Sequence, residues 1–160
     1  GSKGGYTEND PTDAQDVYGI TKLMGEVQYP HSISIRTSII GHELQGGDGL
    51  VSWFLSQQKS CECYSSAIFS GFPTVVLAQI IRDIVIPRTD LNGVYHIASN
   101  PISKCDLLRL IAEVYGKKIK FITNDKVDIN RSLSAERFQA ITGYIPPDWP
   151  QLIKLMHSYH

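Results

Sequence analysis

Apolar residues recur along the chain at two alternating periods, which predict a succession of helices and strands. Over residues 16–29 the apolar positions fall on one face of a helix, which Pro30 would end. Residues 32–40 alternate between apolar and polar positions and predict a strand. A glycine-rich loop, a short helix over residues 50–55 and an irregular extended stretch over residues 60–69 are expected to follow.

The rest of the chain continues this alternation. A helix is predicted to begin at Pro73, and its apolar face is so wide that the helix must be largely buried. Further helices are predicted after the expected N-caps Ser103 and Ser134, and near the end of the chain. Strands are predicted over residues 94–98 and 118–123. Because strands alternate with helices, the pattern predicts an α/β fold.

Composition narrows the class of protein. The 160 residues, 42% of them hydrophobic and 19% charged, suit one globular domain with a sizeable core. The formal net charge of −1 supplies no basic surface for nucleic acid or an anionic membrane, so neither is expected as a partner. No apolar run reaches the length of a membrane span. Trp53 and Trp149 are expected to anchor helices against the core.

The cysteines and the first residues give two further expectations. Three cysteines, an odd number without a Cys-x-x-Cys motif, predict a reducing, cytoplasmic compartment and no disulfide framework. Cys61 and Cys63 have no histidine at ligand spacing, so no metal site is expected. Gly1 and Ser2 are interpreted as a cloning scar, and the chain is expected to be the C-terminal part of a longer protein.

The most specific chemical pattern is Tyr18-x-x-x-Lys22 on the first predicted helix. Residues four apart share one helix face, with Cβ atoms about 5–6 Å apart. A lysine ammonium beside a phenol stabilises the phenolate, so such a pair can exchange a proton during reduction of a carbonyl. The alternative is a pair of solvated polar residues on a helix surface.

The sequence around this pair resembles extended short-chain dehydrogenases/reductases, and most closely their dTDP-4-dehydrorhamnose reductase-like branch. The resemblance rests on GYTENDP at residues 5–11, YGITKLMGE at residues 18–26 and IRTSIIG at residues 35–41. Later segments continue it in the family's order, at residues 71–74, 93–98, 102–108 and 130–134. It implies the C-terminal part of a Rossmann-type enzyme with its substrate-binding subdomain, lacking the N-terminal dinucleotide-binding strands.

The resemblance also implies roles for particular residues. Tyr18 would be the catalytic acid/base, and Lys22 would favour its phenolate and bind the nicotinamide ribose. NAD or NADP would be the cofactor, contacted here by Tyr18, Lys22 and Ser38 and bound mainly by a glycine fingerprint that falls outside the chain. Thr37 would contact the substrate and Arg131 its diphosphate, because a guanidinium matches two phosphate oxygens at once.

For several of these positions a purely structural role is an alternative. Thr37 and Ser38 can simply end a strand, and Arg131 can be a surface arginine beside a helix cap. Arg36, inside an apolar strand, is expected to form a structural ion pair. The Gly47-Asp48-Gly49 stretch follows a strand and precedes a helix, but the loop before it is too long for the tight turn of a dinucleotide site.

The resemblance implies a division of the chain into a scar and loop over residues 1–15 and a catalytic helix with a substrate-binding domain over residues 16–160. The implied function is reduction of a 4-keto sugar nucleotide. An epimerase or dehydratase of the same superfamily is the nearest alternative, and a non-catalytic domain that binds a sugar nucleotide or a protein is another. Apolar side chains near residues 17–24 are expected to stay exposed, so a homodimer is possible.

Overall fold

A computed structural model describes residues 2–27 and 29–159. Gly1, in the expected cloning scar, and Gln28, in the first predicted helix, lie outside the described residues. The helices are α1 (Val17–Met24), α2 (Leu50–Ser56), α3 (Thr74–Ile80, continued by a π-helical turn over Ile81–Val85), α4 (Lys104–Val114), α5 (Glu136–Thr142) and α6 (Trp149–Ser158). The strands are β1 (Ile33–Arg36), β2 (Ile39–Ile40), β3 (Ser60–Tyr64), β4 (Ala67–Phe69), β5 (Phe72–Pro73), β6 (Gly93–His96), β7 (Ile102–Ser103), β8 (Lys120–Asn124) and β9 (Ile129–Asn130).

Most strand pairs are parallel, as expected where helices connect the strands. β1 pairs with β6 from Ile33 opposite Gly93 to Arg36 opposite His96. Parallel pairs also join β2 to β5 and β3 to β8, and β4 lies between antiparallel β7 and parallel β9. This arrangement confirms the predicted α/β class.

The core lies where α3, α4 and α6 pack on one another and on the strands. Leu107 and Ile111 of α4 and Leu152 and Ile153 of α6 are fully buried. The expected N-cap of α4 is confirmed, since Ser103 Oγ accepts a hydrogen bond from Asp106 N at 3.0 Å. The expected N-cap Ser134 is wrong, because α5 begins one residue later, with Ala135 at the N-cap and no side-chain cap bond.

Helix α1 differs from the rest because none of its side chains is buried. Val17 is 78% exposed and Met24 is 79% exposed, which confirms the expected exposure of this face. The helix is shorter than predicted. It ends at Gly25, whose N–H bonds the carbonyls of Thr21 and Lys22, and the chain then turns toward β1.

The strand predicted over residues 32–40 is interrupted at Thr37 and Ser38. The interruption has a tertiary cause, because the Ser38 carbonyl accepts a hydrogen bond from Phe72 N at 2.9 Å. Gly71 lies so close that a Cβ built there would overlap the Ser38 carbonyl oxygen. Residues 60–69, expected to be extended and irregular, are extended as expected but form two regular strands, β3 and β4.

The expectation of unpaired cysteines is wrong in this structure, which joins Cys63 and Cys105 by a disulfide. Cys63 faces inward from β3 and Cys105 lies at the start of α4, with Cα atoms 4.6 Å apart, within the range that a disulfide spans. Because 42 residues separate the two cysteines, the sequence alone does not indicate that they lie close together. Cys61 keeps a free, buried thiol. The cysteine count therefore no longer supports a reducing compartment.

The two tryptophans differ in burial. Trp149 is 7% exposed and anchors α6 as expected, with its indole N–H donating to Asn100 O at 2.7 Å. Trp53 of α2 is 39% exposed, so its expected role as a core anchor is wrong.

Candidate active site

An open cleft of about 1420 Å³ lies between α1, the end of β1 and the segment that leads to α5. Its lining includes the side chains singled out in the sequence, Tyr18, Lys22, Thr37, Ser38 and Arg131. These residues are separated by as many as 113 positions (131 − 18) and come from three different segments. The fold therefore brings every predicted site residue to one cavity.

Tyr18 and Lys22 lie on one face of α1. Lys22 Nζ is 5.4 Å from the centroid of the Tyr18 ring, and the tyrosine is 74% exposed. Within the described residues neither the hydroxyl nor the ammonium forms a hydrogen bond or ion pair. Both groups are therefore free to contact a ligand in the cleft.

Thr37 and Ser38 directly follow β1, and hydrogen bonds to the Ser38 carbonyl hold this segment in place. The Ser38 carbonyl accepts from Phe72 N, and Thr37 Oγ1 donates to the same carbonyl at 3.3 Å. The Ser38 hydroxyl makes no hydrogen bond to residues 2–27 or 29–159. It is thus available at the cleft side of the strand end.

Arg131 is held by its neighbours, because the N-terminal segment pairs with the backbone beside it. Tyr6 N donates to Ser132 O at 2.9 Å, and Ser134 N donates to Tyr6 O at 2.7 Å. Gly5 N donates to Ser132 Oγ at 2.9 Å. The Arg131 side chain itself is exposed and has no acidic partner in the described part of the chain.

Beneath these side chains lies an ion pair. Arg36 Nε and Nη2 donate to Glu26 Oε1 and Oε2 at 2.6 and 2.8 Å, and these bonds raise the pKa of the arginine. The expected structural pairing of Arg36 is confirmed. Arg36 Nη1 also lies 3.5 Å from Nε2 of His96, which is 1% exposed.

Sequence reasoning missed Glu26 and His96 as members of the cleft. An arginine in an apolar strand needs a carboxylate partner. The position of Arg36 therefore indicated an acidic partner, and Glu26, four residues after Lys22, is that residue. His96 is buried in β6 and also lines the cleft, and no sequence motif marks it.

The glycine loop after β2 does not resemble a pyrophosphate site. Glu43 Oε2 accepts a hydrogen bond from Gly49 N at 2.9 Å, so a carboxylate of the chain already uses that amide. Among the described residues no group of three or more His, Cys, Asp or Glu side chains could hold a metal ion. In the same residues no helix is both long and apolar enough to cross a membrane.

The fold thus combines parallel strand pairs with intervening helices, and the helix with the Tyr-x-x-x-Lys pattern lies at the edge of the cleft. No family model matches the chain, and no curated protein matches it by sequence. Solved structures do match it.

A dTDP-4-dehydrorhamnose reductase ortholog from Clostridium acetobutylicum superposes with a TM-score of 0.82 at 22% identity, over 98% of this chain and 60% of that one. A dTDP-4-dehydrorhamnose reductase from Bacillus anthracis, in complex with NADP, gives 0.77 at 17% identity, over 97% and 59%. A dTDP-glucose 4,6-dehydratase from the same organism, in complex with NAD, gives 0.73 at 19% identity, over 99% and 56%. The chain thus spans about 60% of the length of these enzymes. The likeness confirms the expected fold.

Proposed function

We propose that this chain forms the substrate side of an NAD(P)-dependent nucleotide-sugar reductase that acts on a 4-keto sugar nucleotide. The observation that carries the proposal is the convergence of Tyr18, Lys22, Thr37, Ser38 and Arg131 on one cleft. The solved structures with the same fold include reductases of this kind, which supports the choice of reaction.

In this proposal Tyr18 and Lys22 do the acid/base work. The exposed Tyr18 hydroxyl donates a proton to the carbonyl oxygen of the sugar, and the Lys22 ammonium favours the phenolate that this leaves. The unpaired Tyr18, Lys22 and Ser38 side chains fit a nicotinamide and its ribose, and they would hold that end of the cofactor. NADH or NADPH supplies a hydride to the carbonyl carbon when it is bound.

Arg131 and Thr37 would bind the substrate. The Arg131 guanidinium is exposed, has no acidic partner in the described residues, and sits on a backbone fixed by Tyr6 and Ser132. A guanidinium suits a diphosphate, because its planar fork donates to two oxygens at once. Thr37, across the cleft, would contact the sugar.

The test of the acid/base assignment is Tyr18→Phe in the full-length gene product. Loss of the hydroxyl should lower kcat about 10²–10⁴-fold, the usual contribution of general acid catalysis, while the fold survives. Tyr29→Phe is the matched control, because Tyr29 is 72% exposed and does not line the cleft. Unchanged turnover in Tyr18→Phe would contradict the proposal.

Lys22→Met in the same protein should lower turnover and also weaken binding of the cofactor, measured by titration with NADPH. Product analysis then separates the neighbouring reactions. A 4-hydroxy sugar with stoichiometric oxidation of NAD(P)H indicates a reductase. Release of water without net oxidation would instead support a dehydratase, which the match to the dehydratase keeps as the second candidate.

The 160-residue chain alone is expected not to oxidise NAD(P)H. Within the described residues, the segment most similar to a phosphate-binding turn is the glycine loop before α2. Its Gly49 amide already donates a hydrogen bond to the Glu43 carboxylate. Measurable oxidation with a 4-keto sugar nucleotide would contradict this expectation. We also propose a homodimer formed through the exposed apolar face of α1.

A further inference from the structure

We propose that His96 is a positioning residue that fixes the spacing between the Tyr18–Lys22 helix and the Arg131 loop. The inference rests on the proposed function, because it concerns the geometry of the same cleft. Its physical basis is a run of contacts that crosses the cleft floor. The run leads from Tyr6 through the His96 ring to Arg36 and Glu26.

The first half of the run joins His96 to the Arg131 loop. His96 Nδ1 lies 3.0 Å from Tyr6 O, and a carbonyl offers only lone pairs, so Nδ1 must carry the hydrogen. The same Tyr6 carbonyl accepts from Ser134 N, and Tyr6 N donates to Ser132 O. The imidazole therefore holds the segment that pairs with the backbone just after Arg131, at residues 132–134.

The second half joins His96 to α1. With the hydrogen on Nδ1, Nε2 of the neutral ring is an acceptor, and it faces Arg36 Nη1 at 3.5 Å. Arg36 in turn forms the two-bonded ion pair with Glu26, just beyond the end of α1. This long contact is the weaker step of the run and is partly buried, with the imidazole side shielded from solvent, where polar contacts are strengthened.

The attachment of α1 makes this run important. Because α1 buries no side chain, polar bonds after its end must hold it in place. These are the Glu26–Arg36 pair and the bonds between the backbone of Val27 and Ser34 Oγ, with Val27 N donating at 3.0 Å. Arg36 is therefore shared between the anchor of α1 and the His96 ring.

Two substitutions separate the halves of the run. His96→Leu removes both ring nitrogens, whereas His96→Asn keeps a donor near the position of Nδ1 and loses the acceptor toward Arg36. Trp149→Phe is the control for destabilisation alone, because it removes the hydrogen bond from a buried indole to Asn100, and neither residue lines the cleft.

The first measurement is amide hydrogen exchange in the 160-residue chain, which needs no ligand. His96→Leu should speed exchange at both Tyr6 and Val27, and His96→Asn should speed it at Val27 while Tyr6 stays protected. Trp149→Phe should speed neither beyond its global effect. Faster exchange at only one end in His96→Leu, or at neither, would overturn the proposal.

The second measurement is steady-state kinetics in the full-length gene product. A small misplacement of reacting groups can cost about 10²-fold, so His96→Leu should lower kcat by up to that factor, with a smaller loss in His96→Asn. Trp149→Phe should leave kcat unchanged. If exchange loosens at both ends but kcat does not fall, the positioning role is wrong while the proposed function stands. If the wild-type protein reduces no sugar nucleotide, the proposed function fails and the exchange result still decides the mechanical link.

Discussion

Gly71 packs against the strand end that carries Thr37 and Ser38, and its replacement by alanine should be strongly destabilising. Gly71 is buried, and a Cβ there would overlap the Ser38 carbonyl oxygen and lie 2.6 Å from Phe69 Cζ. Its φ lies outside the left-handed region, so the cost of Gly71→Ala comes from crowding and not from backbone conformation. The backbone must move, because a carbonyl oxygen has no side-chain freedom with which to yield.

The magnitude follows from two effects. Forcing a methyl group into a packed interior costs about 1–3 kcal/mol. Displacing Ser38 also strains the bond from Phe72 N, and an unsatisfied buried amide costs about 1–3 kcal/mol. We therefore expect Gly71→Ala to lower the free energy of unfolding by about 2–6 kcal/mol, a large share of the about 5–15 kcal/mol of a typical domain.

Urea denaturation of the 160-residue chain measures this change, with Gly47→Ala as the matched control. Gly47 is exposed, has no atom within 4 Å of an added Cβ and does not have a positive φ. The control should therefore be neutral or gain about 0.4–1 kcal/mol from a less flexible unfolded state. A Gly71→Ala protein within about 0.5 kcal/mol of wild type would refute the close approach of Gly71 to Ser38.

Three further outcomes are expected. Burial raises the pKa of Tyr144 to about 12 from 10.0, so its contribution to stability is present below pH 10 and is lost as the pH rises toward 12. Tyr144→Phe should flatten that alkaline loss in pH-dependent denaturation, and Tyr159→Phe, at an exposed position, should not. Burial also raises the pKa of the Cys61 thiol, so a thiol reagent should react slowly with the folded chain. After unfolding without reductant, the reagent should modify one thiol per chain. Modification of all three cysteines would contradict the disulfide. In light scattering over a dilution series, Met24→Lys should weaken self-association and Leu44→Lys should not, whereas a wild-type monomer at high concentration would contradict the proposed homodimer.

Local features of the fold could be predicted from the sequence because local contacts determine them. The Ser103 cap depends on a bond to an amide three residues away, and Gly143 ends α5 with a φ of 72° that glycine adopts readily. The proximity of Tyr18 and Lys22 follows in the same way from helical spacing. These predictions needed no knowledge of which elements pack together.

The missed features depend on residues far apart in the sequence. The break between β1 and β2 results from Phe72 docking on Ser38, and the disulfide links β3 to α4. Likewise the arrival of Arg131 in the cleft depends on pairing of residues near it with the N-terminal segment. Periodicity within one element carries no information on such pairings.

The placement of buried polar residues supports this cleft as the functional site independently of the Tyr-x-x-x-Lys motif. Burying a hydroxyl or an imidazole is costly unless it is hydrogen-bonded, so a fold selected for stability alone would use apolar residues. In the described residues the buried polar side chains are Ser70, His96, Ser99 and Ser132.

All four of these side chains bond the backbone of segments that form or support the cleft wall. The bonds are Leu133 N to Ser70 Oγ at 3.0 Å, His96 Nδ1 to Tyr6 O at 3.0 Å, Ser99 Oγ to Gly71 O at 2.8 Å, and Gly5 N to Ser132 Oγ at 2.9 Å. Polar groups that fix backbone position are therefore concentrated behind the cleft, whereas the side chains proposed to react are exposed and unpaired in front of it. A rigid polar support beneath free functional groups is the arrangement that positioning of a substrate requires.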